Sequence, residues 1–183
     1  MTTSRTPPWA EAIQLIPILT LAFPFIVEGH VDLESATSGF VVATALAVLC
    51  SIQVLRHGHR LNPVLLGTDL WLVFGAIAFG LDLAPLRAWF GETQAFGLFA
   101  GVFVVGLVTT WRAPGGFVAA DPIHPARVRQ ASLVLLALAG LALVWAWFLR
   151  HDIRLGGGLP FIVLNVARRA LVARVERAHH VLR

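Results

Sequence analysis

Residues 65–80 read LLGTDLWLVFGAIAFG, an apolar run in which Asp69 is the single charged side chain. With its flanks the run extends over about 64–86, and a helix that crosses the hydrocarbon of a bilayer needs about 20 mostly apolar residues. A lone carboxylate inside such a run costs a few kcal/mol and has to face protein or a cavity, with a partner. Whether Asp69 is a working group or a structural one depends on what surrounds it, so the rest of the chain has to be read first.

Three further runs have the same character, at about 38–55, 95–111 and 130–149. Two others are marginal. Residues 12–27 contain Pro17 and Pro24, and residues 157–175 are interrupted by Arg168 and Arg169. Each of these two reads as a full span, a half-span or a tilted interfacial helix. No A-x-A-like cleavage site follows the first run, which is therefore expected to be retained. The composition agrees with a membrane protein: 57% of residues are hydrophobic and 13% charged, where soluble domains have about 45–50% and ~25%. The mean hydropathy is +0.78. The expected fold is all-α, a polytopic transmembrane helix bundle of about six segments, forming one domain over residues 1–183.

All 14 basic residues are arginines, and their placement gives an orientation. If all six runs cross, one side collects Arg5, Arg56, Arg60, Arg112, Arg127, Arg129, Arg168, Arg169, Arg174, Arg177 and Arg183. The other side keeps Arg87, Arg150 and Arg154. Cytoplasmic loops carry the excess of basic residues, so both termini are expected in the cytoplasm. Trp9, Trp89, Trp111, Trp145 and Trp147 fall near span ends, where amphipathic rings favour the headgroup level. Trp71 lies deeper and is expected between helices.

If the third run starts near Pro63, Asp69 lies about 9 Å inside it at 1.5 Å per residue. Arg60 is near in sequence, and Arg168 or Arg169 enters the last run from the opposite side. The expectation is a structural pair between Asp69 and Arg168 or Arg169, because a guanidinium offers bidentate geometry and is weakly hydrated. The rival reading makes Asp69 a proton or ion relay in a transporter. Asn165, one turn before Arg168, is expected to hydrogen-bond across helices. Gly97 and Gly101 form a small-xxx-small pair that suits close helix packing, either internal or between copies.

Other signals are weaker. Cys50 is the only cysteine, which excludes an intrachain disulfide, and its apolar setting suits a small buried hydrophobe. His57 and His59 share a predicted side with His179 and His180, yet no acid or cysteine completes a ligand spacing, so solvated loop histidines are expected. The longest connection, RAPGGFVAADPIHPARVR at 112–129, has three prolines and a Gly-Gly pair. It is expected to be irregular, cytoplasmic and the best candidate for a protein contact. The glycine run in RLGGGLP lacks the lysine and spacing of a phosphate loop. No catalytic residue, cofactor site or metal site is expected, and no nucleic-acid surface.

Taken in order, LIPILTLAFPF (15–25), GFVVATALAVL (39–49), WLVFGAIAFG (71–80), FGLFAGVFVVG (96–106), ARVRQ (126–130) and LALAGLALVWAWF (136–148) give a chain that resembles the intracellular septation protein A family of small bacterial inner-membrane proteins. The resemblance implies a non-enzymatic, polytopic protein concerned with cell-envelope maintenance, elongation or division. It would act through contacts with other inner-membrane proteins and carries over no catalytic residues. The first alternative is a small transporter or channel subunit using Asp69 with Arg168 or Arg169. The second is an accessory subunit of a membrane complex. The partners expected throughout are the lipid bilayer and other inner-membrane proteins, and self-association stays open.

Overall fold

A computed structural model describes residues 7–27, 33–122, 124–150 and 153–180. Arg5, Arg183 and the acidic connection at 28–32 lie outside the described residues, as do the side chains of Arg154, His179 and His180. The described chain is helical: α1 (Pro8–Val27), α2 (Leu33–Arg56), α3 (Pro63–Gly80), α4 (Ala84–Thr93), α5 (Ala95–Arg112), α6 (Pro125–Phe148), a π-helical turn (Ile153–Gly158) and α7 (Leu159–His180). No strand occurs among the described residues. Five segments, Ala36–Arg56, Pro63–Gly80, Ala95–Arg112, Pro125–Phe148 and Leu155–Arg177, are long and apolar enough to cross a membrane. The described apolar part of α1, Trp9–Ala22, is shorter. The chain has the character of a multi-pass membrane protein.

The helices belong to two compact units. The first comprises residues 1–61 and 68–93, the second residues 62–67 and 94–183. In the first, α2 turns Phe40, Ala43, Ala47 and Val54 inward, a spacing of three, four and seven residues that follows one face of a helix. Its opposite face carries exposed Val41, Val42, Val48, Leu49, Ile52 and Leu55. An apolar helix that exposes large aliphatic side chains on its outer face is built for lipid rather than water. Phe40 is the centre of the packing, stacked on Phe79 at 5.1 Å and edge-on to Trp71 and Phe90. Gly75 leaves the space that the Phe40 ring fills. Trp71 is partly buried against this cluster, between Phe40 of α2 and Phe90 of α4.

The third run does not continue to residue 86. Helix α3 stops at Gly80, where Leu83 N–H donates to the Ala78 carbonyl at 2.9 Å and Asp82 N–H to that of Phe79. Asp82 takes a left-handed φ of 53° between them. This is the Schellman arrangement that closes a helix by satisfying its last carbonyls. Pro85 cannot prolong the preceding helix for want of an N–H, and it falls in the first turn of α4 instead. Residues 87–93, between the apolar runs at 64–86 and 95–111, are helical, and Arg87 pairs with exposed Asp82 at 2.5 Å.

In the second unit α5, α6 and α7 pack together with the π-helical turn. Helix α6 buries Val128, Ser132, Leu135, Ala139, Ala142 and Ala146, again a single stripe but made largely of alanine. Helix α5 presents Phe99, Val102 and Gly106. Small side chains let helices approach where no hydrophobic drive separates helix from lipid. A close approach occurs at Gly67, whose missing side chain leaves room for the backbone of Gly101 and Val102.

Candidate functional site

The buried polar residues of the second unit converge on one peptide group. Helix α5 ends in the ordinary way, with Ala113 extended and its N–H on the Thr109 carbonyl. From there the long connection turns inward. Phe117 and Val118 are fully buried, and Ala120 nearly so. The Phe117 ring lies against Gly106, where a Cβ would come within 2.7 Å of it. Two left-handed residues, Gly116 at φ 61° and Ala119 at φ 56°, make the reversal. The connection is irregular, as its prolines and glycines imply, but its middle is interior and not a protruding contact loop. The apolar sequence FVAA prefers burial once a recess exists to receive it.

Irregular backbone inside such a unit needs partners for its N–H and C=O groups. Val118 obtains them from two helices. Its N–H donates to Ser132 Oγ of α6 at 3.5 Å, a long contact, and its carbonyl accepts from Arg168 Nη1 of α7 at 3.3 Å. Ser132 is fully buried and Arg168 is only 6% exposed. The guanidinium therefore ties α7 to the inward connection, while Arg169, one residue on, is exposed.

A second tie joins α3 to α7. Asn62 stands before α3 as its cap: its Oδ1 accepts from Val64 N–H at 3.0 Å, its carbonyl from Leu66 N–H at 2.8 Å, and Pro63 follows at the first helical position. This is a favourable pairing of residue types for a helix start. Asn62 Nδ2 donates to Asn165 Oδ1 at 3.3 Å, and Asn165 Nδ2 donates back to the Phe161 carbonyl. Asn165 is thus the cross-helix residue the sequence suggested. Arg168 lies about one turn beyond Asn165 on α7. Asn62→Ala removes both the cap and the cross-helix bond. The expected loss is about 1–2 kcal/mol, measured by unfolding in mixed detergent micelles.

Asp69 lies in the first unit and is partly buried. It accepts a long hydrogen bond from Ser51 Oγ of α2 at 3.4 Å. Asp69 and Arg168 belong to different units, and each has a partner within its own. Gly97 is buried and Gly101 half-buried on α5, with Gly101 used internally against Gly67. Cys50 is half-buried on α2. His57 and His59 both stand edge-on to the Trp9 ring at 5.4 Å. Among the described residues no three of His, Cys, Asp and Glu gather as metal ligands.

Sequence reasoning missed Asn62, Ser132 and Gly67. For Asn62 the signal was available, an Asn-Pro pair opening an apolar run. Ser132 and Gly67 carry no such signal, because their roles depend on which backbone segment lies opposite. Comparison with known proteins finds no matching family model, no matching curated protein and no matching solved structure.

Proposed function

We propose that this chain is a non-enzymatic component of a bacterial inner membrane that works by contact with other membrane proteins. In this reading it crosses six times, with α1 as the sixth crossing and both termini in the cytoplasm. The arginine distribution supports that orientation. The observation that carries the functional reading is the use of the interior polar groups: Ser51 with Asp69, Asn62 with Asn165, and Ser132 and Arg168 with Val118 each join one segment to another. Polar groups arranged in this way hold a fold together. The resemblance to the septation protein A family favours envelope maintenance, elongation or division as the process served.

The test is purification from native membranes in mild detergent, followed by identification of retained proteins and by flux measurements in liposomes. Envelope elongation or division proteins are expected to co-purify, and Asp69→Asn is expected to leave liposome ion flux at the background of empty vesicles. An ion flux that Asp69→Asn abolishes, with yield and assembly unchanged, would replace this reading with that of a transporter subunit.

A further inference from the structure

The end of the second unit that carries the inward connection is also its arginine-rich end. Arg129 of α6 covers the Trp111 ring of α5 at 4.7 Å, so the start of α6 lies beside the end of α5. Arg168 on the Val118 carbonyl places the middle of α7 beside the connection between them. Arg112, Arg127, Arg129 and Arg169 therefore surround one end, and Arg174 follows little more than a turn beyond Arg169. All five are exposed. Helix α7 turns Leu164, Arg168 and Val175 inward, which leaves Arg169 and Arg174 on its outer faces. The nearby described acids are Asp121 and Glu176.

We propose that this face binds the phosphate groups of anionic phospholipids. Trp111 fixes the level: the residue is 59% exposed, and exposed tryptophan rings at span ends settle among the headgroups. An arginine lying on that ring is held at the depth of lipid phosphates. A guanidinium fork suits a phosphodiester, with which it makes paired hydrogen bonds. Basic clusters next to a span attract anionic lipid. An acidic protein surface would satisfy the charge but not the placement at ring level.

The test uses the full chain in phosphatidylcholine vesicles containing trace spin-labelled phosphatidylglycerol or spin-labelled phosphatidylcholine. The wild-type protein is expected to retain the anionic probe about tenfold over the zwitterionic one, with the preference reduced by high salt. Arg112→Gln, Arg129→Gln and Arg169→Gln combined are expected to bring the preference near unity. Arg150→Gln, which removes the arginine over Trp147, is expected to leave it unchanged. The salt dependence of the wild-type protein stands as a test even if the triple variant fails to fold. The proposal is overturned if the wild-type protein shows no preference, if the preference survives high salt, or if it survives in a folded triple variant. Retention of polyglutamate without any lipid preference also overturns it and assigns the face to an acidic protein.

Discussion

Gly67→Ala is expected to destabilise the protein by about 2–3 kcal/mol, large for the addition of one methyl group. The methyl would lie 2.8 Å from Val102 N and 3.0 Å from the Gly101 carbonyl oxygen. These are backbone atoms of a helix and cannot rotate aside as a side-chain tip can. The first turn of α3 would have to separate from α5, with loss of contacts along both. The matched control is Gly91→Ala in α4, where nothing lies within 4 Å of the new carbon. There alanine removes the glycine penalty of a helix interior, and a gain of about 0.5–1 kcal/mol is expected. Unfolding of both variants in mixed micelles, against wild type, reads the difference directly.

Gly116→Ala is expected to cost about 3 kcal/mol by the sum of two separate effects. Its φ of 61° is left-handed, which penalises any residue with a Cβ by roughly 1–2 kcal/mol. The new methyl would also collide with Ser132 Oγ and lie 3.2 Å from Ser132 Cβ and 3.3 Å from Val128 Cγ1, an overpacking term of about 1–3 kcal/mol. Ser132→Ala in the same chain is expected to return only part of the loss, since it relieves the collision and leaves the backbone penalty. A double-mutant cycle separates the two. The same variant should loosen Phe117 from its recess at Gly106, which a cysteine introduced at Phe117 would report as increased reactivity toward a maleimide.

The parts legible in the sequence were those set by composition and periodicity. The apolar runs became helices, and Asn165 accepts a hydrogen bond from Asn62 at the start of α3 while donating within its own helix. The run over 64–86 was misjudged at its far end, since Leu81, Leu83 and Leu86 continue the apolar pattern through a Schellman closure made by backbone geometry at Asp82. The inward fold of residues 116–120 was also not legible. The connection at 112–129, with three prolines and two glycines, has the local character of an exposed segment, and only the recess beside Gly106 and the partners Ser132 and Arg168 make the burial of its middle favourable. Arg168 was singled out as an interior guanidinium, and interior it is, but its carbonyl acceptor sits in a segment that sequence alone would place outside.

The orientation of the second unit in the bilayer is tested most directly by cysteine labelling in a Cys50→Ser background. Arg127→Cys stands at the start of α6 and Arg150→Cys just past its end. In intact cells a membrane-impermeant maleimide is expected to label Arg150→Cys and to reach Arg127→Cys only after the cytoplasmic face has been opened. Labelling of both positions from the same side, or of Arg127→Cys in intact cells, would contradict a helix that carries the chain from an arginine-rich cytoplasmic face to the opposite one.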